Sequence, residues 1–380
     1  MDALETLKSL TAQMHLESAE DTGCPQLPEF NKAEFPVSHA RLPNGQRITL
    51  LKTLQTSACE RNCYYCPFRA GGNYPRATLK PEEMARVFHT LYRGGAVEGI
   101  FLSSGIIQGG VTTQDRLLAT AEILRHKYNY PGYLHLKLMP GAERDQVLQA
   151  MLLADRVSAN LEAPNSQRLA LLAPRKKFLD ELIQPLRWAQ EIRQNQPAHL
   201  AWNRRWPSSV TQFVVGAVGE SDLELLSTTE YLYSQLHLRR TYFSRFKPNE
   251  GTPFENLPPE SIKRQHRLYS ASYLLRDYRF DLEELPFQAD GNLPLDTDPK
   301  LAWARQHLSS APVELNRVSR FELLRVPGIG PKGAATLLKA RQQLRLHELS
   351  QLRKLGINPQ KAAPFILLDG VRPSFQTRLL

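Results

Sequence analysis

Cys59-Glu60-Arg61-Asn62-Cys63-Tyr64-Tyr65-Cys66 places three of the chain's four cysteines within eight residues, at C-x3-C-x2-C spacing. Thiolates this close grip one inorganic centre together, and soft sulfur selects zinc or an iron–sulfur cluster. Ligand number separates the two. A structural zinc closes four ligands, usually as two pairs, whereas a [4Fe–4S] cube held by three thiolates leaves one iron free for a substrate. Three cysteines point to the open iron. Two plainer readings stand beside it: Cys24 joins as a fourth thiolate and closes a zinc site, or the cysteines are ordinary thiols beside a turn. A motif is decided by its context, which the rest of the sequence supplies.

At 380 residues, with 42% hydrophobic content, the chain is long enough for one large domain and a small one around a real core. The opening Met1-Asp2-Ala3-Leu4-Glu5 has neither a basic n-region nor an apolar h-region, and no apolar run reaches membrane length. The expectation is a soluble cytoplasmic protein with no membrane partner. Four cysteines, three of them clustered, are wrong for a disulfide framework and suit a reducing compartment. The net charge of +10 is unevenly placed. Residues 300–380 hold 14 Lys/Arg against 4 Asp/Glu, and residues 1–299 hold 34 of each sign. The whole excess therefore lies in the last fifth of the chain, which favours an appendage that binds a polyanion.

The strand before the cysteines is Arg47-Ile48-Thr49-Leu50-Leu51-Lys52-Thr53-Leu54, rich in β-formers. After them, Lys80-Pro81-Glu82-Glu83 opens a helix whose apolar face is Met84, Val87, Phe88 and Leu91, and Gly94-Gly95 ends it. Strand and helix signals then alternate. Strands are expected over 99–104, 133–138, 156–161, 210–215 and 240–246, with helices over 115–128, 144–154, about 177–195, 221–236 and 261–278. Six such units in about 235 residues predict a parallel sheet with crossover helices. Leu4, Leu7, Leu10 and Met14 mark an earlier helix, followed by a loop at Asp21-Thr22-Gly23-Cys24-Pro25. The expected organisation is an N-terminal extension (1–40), a barrel domain (41–280), a connecting arm (281–312) with a short helix near 301–308, and an all-helical module (313–380).

The cysteine spacing, with Tyr65 before the last cysteine, resembles the signature of the radical S-adenosylmethionine (SAM) superfamily. The resemblance implies a partial (β/α)6 barrel, a [4Fe–4S] cluster on Cys59, Cys63 and Cys66, and SAM as second cofactor. It also implies SAM chelated at the free iron, its reductive cleavage to a 5′-deoxyadenosyl radical that abstracts hydrogen, and an electron donor such as flavodoxin or ferredoxin. In parallel α/β sheets ligands bind at the carboxyl ends of strands, and the loops there carry matching residues. Ser103-Ser104-Gly105 stands where relatives place a short Gly-rich SAM-amino motif, although two serines replace the leading glycine. Ser158, Asn160 and Glu162 resemble groups that bind the ribose and the methionyl carboxylate. Val215-Gly216-Ala217 looks like the family's adenine-side region, and Phe243 and Arg245, ahead of Gly251-Thr252-Pro253, resemble the sixth strand of relatives that modify biotin-pathway substrates and tRNA. Each has a plainer reading: Gly216 and Gly219 as a turn with Glu220 at the next helix's start, Ser103 and Ser104 as a strand end, Asn160 as a loop cap. No catalytic residue beyond these is assigned.

In the basic tail, residues 321–338 read as a helix, the turn Pro327-Gly328-Ile329-Gly330, and a second helix containing Lys332 and Gly333. This closely resembles the helix-hairpin-helix DNA-binding motif. Gly328 and Gly330 let the backbone approach a ligand, exposing N–H groups at the second helix's start to a phosphate, with Lys332 adding charge. A degenerate second copy follows over 349–358. The alternative is a structural αα-hairpin or a protein-docking surface. The combination resembles radical SAM proteins with a C-terminal helix-hairpin-helix, described as DNA modification or repair proteins. It implies DNA as partner and substrate. An RNA- or tRNA-modifying enzyme and a non-catalytic DNA-binding iron–sulfur or zinc protein are the alternatives.

Overall fold

The computed structural model of the protein describes residues 2–16, 29–30, 35–41 and 45–374. Its first part contains α1 (Ala3–Ala12), β1 (Glu29–Phe30), β2 (Pro36–Arg41), β3 (Arg47–Leu54), α2 (Pro81–Arg93), β4 (Gly99–Ser103) and α3 (Gly109–Glu122). There follow β5 (Tyr133–Lys137), α4 (Arg144–Leu153), β6 (Arg156–Ser158), α5 (Ser166–Leu172), α6 (Gln184–Asn195), β7 (Ser208–Val215), α7 (Asp222–Ser234) and β8 (Arg240–Arg245). One eight-stranded sheet runs in sequential order from β1 to β8. The six strands β3 to β8 pair in parallel, each the strand that the sequence marks. This is the α/β partial barrel expected from strand–helix alternation. Burial on both faces explains the apolar Ile100-Phe101-Leu102 of β4: all of β4 and seven of the eight residues of β7 are buried, Thr211 and Gln212 among the latter.

Four features depart from the sequence pattern. The strands β1 and β2 extend the sheet by antiparallel pairing within what read as an undivided extension. Helix α3 begins at Gly109, not Asp115, because its start has no local cap: the Glu60 carboxylate accepts from the N–H groups of Gln108 (3.0 Å) and Gly109 (3.1 Å). Strand β6 stops after Ser158 because the Thr211 hydroxyl inserts, donating to the Ala159 carbonyl (2.7 Å) and accepting from the Leu161 N–H (3.1 Å). Pairing resumes at Glu162, opposite Phe213. Helix α5, capped by Asn165 accepting from the Arg168 N–H, was not foreseen.

The chain divides into two compact units, residues 1–220 with 231–261, and residues 221–230 with 262–380. The second holds α8 (Ile262–Asp277), α9 (Pro299–His307), β9 (Val313–Glu314), α10 (Arg320–Arg325), α11 (Pro331–Ala340), α12 (Leu349–Lys354), α13 (Pro359–Ala362) and β10 (Ile366–Leu367). Residues 281–312, the expected arm, lie within this unit, with α9 close to the short helix expected there. A two-strand parallel pairing of β9 with β10 ties residues 313–314 to 366–367. Leu323, Leu324, Ile329, Leu337, Leu352, Ile357 and Phe365 are buried at its core. Among the described residues, no helix is long and apolar enough to cross a membrane.

Candidate functional site

Leaving β3, the chain passes directly into the cysteine loop, which neighbouring strand ends hold from several sides. Gln55 N–H donates to Ser103 O (2.7 Å), Glu60 N–H to Ile106 O (2.8 Å) and Tyr64 N–H to Leu172 O (2.9 Å). Arg61 forms an ion pair with Glu181 at 2.6 Å. Gly105 is required by close approach: a Cβ there would overlap the Ala58 carbonyl oxygen, so only glycine lets the β4 exit lie against the loop. From beyond β8, Asn249 Nδ2 donates to the Tyr65 carbonyl (2.9 Å), and Phe254 meets the Tyr64 ring edge-on at 5.5 Å.

These contacts bring Cys59, Cys63 and Cys66 to one cavity at the carboxyl ends of the strands. Of the other residues singled out in the sequence, Tyr65, Ser103, Ser104, Gly105, Asn160 and Glu162 also line it. Ser158 does not: it is buried, with its hydroxyl 2.9 Å from His135 Nε2. Val215, Gly216, Ala217, Phe243 and Arg245 lie outside the lining. Gly216 N–H and Val218 N–H donate to the Glu220 carboxylate, Phe243 stacks on Phe213 at 5.9 Å, and Arg245 Nη1 donates to Glu260 O (3.2 Å). Glu220 thus closes its own turn. Cys24 lies outside the described residues.

Two lysines missing from the sequence reading complete the cavity. Lys176 is paired with Glu162 at 2.8 Å with both side chains buried, and Lys137 Nζ donates to Asn160 Oδ1 at 2.5 Å. No local motif marks either lysine: Lys137 is the last residue of β5 and Lys176 lies in the segment after α5. Burial raises the pKa of the Cys63 and Cys66 thiols. Burial likewise acts to lower that of Lys176, but Cys63 and Glu162 outweigh it and raise it. Burial, then the Glu162 charge, keeps the Tyr65 hydroxyl protonated well beyond its ordinary range. Glu162 itself sits at φ +65°, an uncommon conformation for a residue with a Cβ, held by its N–H donating to Gln212 O (3.0 Å) and its O accepting from Val214 N–H (2.8 Å).

The donor set suits a cluster. Three thiols line one cavity, and a cube gives each thiolate its own iron. Metal binding converts buried thiols to thiolates, and the Lys176 ammonium beside Cys63 offsets the negative charge so created. Cys59, Cys63 and Cys66 would hold the cluster.

In the second unit, α10 and α11 flank a turn in which Gly328 has φ +84°. A Cβ there would stand 2.8 Å from Asn358 O and 3.0 Å from Lys361 Cβ, because the turn packs against the one between α12 and α13. Gly328, Gly330, Lys332, Gly333 and Gly356 line one concavity of about 690 Å³, together with Pro331, Arg276 and Asp277. Pro327 and Ile329 are buried beneath it.

Comparison with known proteins bears on the first unit. Residues 54–232 match the family model described as Radical SAM superfamily. No curated protein gives a significant match. Among solved structures, methylornithine synthase (PylB) is 14% identical over 60% of this chain and 61% of its own, with a TM-score of 0.47. The FeFe-hydrogenase maturase HydG from Carboxydothermus hydrogenoformans is 16% identical, over 60% of this chain and 51% of its own, with a TM-score of 0.46. A radical SAM methyltransferase from Sphaerobacter thermophilus is 14% identical, over 63% and 70%, with a TM-score of 0.44. The chain thus spans about three fifths of the first and half of the second. None of these likenesses bears on a substrate. Domains of the matched family use a [4Fe–4S] cluster and SAM. Residues 54–232 are thus similar to domains of the radical SAM superfamily.

Proposed function

We propose that this protein is a radical SAM enzyme that cleaves SAM reductively at a [4Fe–4S] cluster and acts on DNA, modifying a base or sugar or repairing a lesion. The observation that carries the chemistry is the convergence of Cys59, Cys63 and Cys66 on one cavity that also contains the Lys176–Glu162 pair. When bound, the cluster supplies an electron to the SAM sulfonium. The chain's own groups do the rest: Asn160 and Lys137 present polar atoms for ribose or carboxylate, and Ser103 and Ser104 border the same space.

DNA as substrate is supported by the second unit. Within it, residues 300–380 hold 14 Lys/Arg against 4 Asp/Glu, and its paired glycine turns open on one concavity beside Lys332. Contacts to phosphate position a protein without reading sequence, so selectivity would come from the cavity. A target nucleotide would reach it flipped out or already unpaired.

The test is anaerobic reconstitution with iron and sulfide, followed by mass spectrometry of 5′-deoxyadenosine and of nucleosides after incubation with duplex DNA, damaged DNA or tRNA. DNA-stimulated 5′-deoxyadenosine and a nucleoside altered only by active protein are expected. Stimulation by tRNA alone would move the substrate to RNA, and DNA binding without SAM cleavage would leave a non-catalytic protein.

A further inference from the structure

We propose that Lys300 is a positioning residue for phosphate contact: its ammonium, held beneath the Gly328-Ile329-Gly330 turn, aims the Gly330 N–H outward and places a positive charge behind it. The inference rests on reading the second unit as a nucleic-acid grip.

Lys300 lies in the first turn of α9 and is only 9% exposed. Its Nζ donates to the Ile329 carbonyl at 2.6 Å and stands 4.6 Å from the centre of the Tyr278 ring. No carboxylate pairs with it among the described residues. The nearest, Asp298, is occupied in capping α9 through the N–H groups of Lys300 (3.1 Å) and Leu301 (3.4 Å). A buried ammonium with one carbonyl and one ring for company is costly, and an apolar side chain would fill the space more cheaply. What the cation adds is control of one peptide unit. The Ile329–Gly330 bond is trans, so its C=O and N–H point in opposite directions. With the oxygen fixed inward on Lys300, the Gly330 N–H is turned away from the lysine. A cation on the carbonyl also polarises the unit and strengthens that N–H as a donor. The backbone N–H groups of Gly330, Lys332 and Gly333 have no backbone acceptor among the described residues, and all three residues line the concavity.

The groups facing Lys300 are Asp298 on its own element, Tyr278 after α8, and Arg325 of α10, the last paired with Glu284. Burial, against the weaker pull of Asp298, draws its pKa down to about 7. The free protein therefore loses this proton near neutrality, and a phosphate bound at the turn favours the charged form. Binding takes up the proton, and affinity falls as pH rises.

The experiment measures fluorescence anisotropy of a fluorescein-labelled DNA duplex with the full chain, at constant ionic strength, between about pH 6 and about pH 8.5. The native protein is expected to lose affinity roughly tenfold across this window, about one pKa unit of coupling. Lys300→Met should bind as weakly as the native protein at high pH and give a flat profile. Lys332→Ala should bind more weakly at every pH and keep the native profile. A flat native profile overturns the inference, whether or not Lys300→Met folds; so does a native-like slope in a folded Lys300→Met protein. In both cases a weakened Lys332→Ala leaves the grip reading standing. If the native protein does not bind the duplex, or Lys332→Ala binds it as the native protein does, the grip reading itself fails.

Discussion

Lys176 Nζ stands 2.8 Å from Glu162 Oε1, with both side chains buried beside the Cys63 thiol. The pair joins the end of β6 to the segment after α5 and sets a positive charge against the thiol cluster. A buried pair adds little stability relative to apolar packing, but removing one partner strands the other. Lys176→Ala is expected to destabilise the protein by about 3 kcal/mol, read as a lowered urea midpoint. Lys176→Met combined with Glu162→Gln should recover part of that loss while retaining less iron after gel filtration than the native protein.

Replacing Cys59, Cys63 or Cys66 by Ala, one at a time, should abolish retention of iron and sulfide and the visible cluster absorption, with the far-UV circular dichroism unchanged. Elemental analysis of the native protein checks the same point: about four irons per chain are expected, and stoichiometric zinc would speak for the closed site.

Gly105→Ala tests the loop's support without touching a thiol. The added methyl collides with the Ala58 carbonyl, which is backbone and has no rotamer to yield. A loss of about 2 kcal/mol in stability and weaker cluster retention than in Ser104→Ala are expected, measured by thermal unfolding and iron titration.

Arg325, 3% exposed, pairs with Glu284 at 2.6 Å and stacks within 3.8 Å of the Phe280 ring centre and 4.0 Å of that of Phe321. Its remaining donors serve the carbonyls of Tyr278 (3.0 Å) and Arg279 (2.9 Å). Arg325→Ala should cost about 3 kcal/mol, and Arg325→Lys should restore little of it, because an ammonium cannot reproduce a planar fork stacked between rings. The urea midpoint of the full chain reads both.

The depressed Lys300 pKa predicts a pH dependence of stability opposite to that of DNA affinity. Between its folded value of about 7 and its unfolded value near 10.5, the unfolded chain binds the extra proton. Stability contributed by this group therefore rises with pH across that window. Comparing native and Lys300→Met unfolding at about pH 7 and about pH 9.5 should show a gain of a few kcal/mol in the native protein alone.

The thiol spacing and the alternation of strands are legible because both are local: three cysteines within eight residues, and strand runs rich in β-formers between helical periods. What escaped notice depends on distant segments. Lys176 and Lys137 carry no motif, and each lines the cavity only because the end of β5 and the segment after α5 meet there. The start of α3 was misplaced because its capping group, Glu60, is 48 residues away from Gln108. Glu162 was legible as a polar strand end, but its left-handed backbone follows from Thr211 interrupting β6.

The hydrogen bond from Asn249 to the Tyr65 carbonyl spans 184 residues of chain. A ribosome would deliver the cysteines long before the segment that fixes their loop. Iron offered to the emerging polypeptide would meet unshaped thiols, so loading of the inorganic centre belongs after synthesis of the sheet is finished.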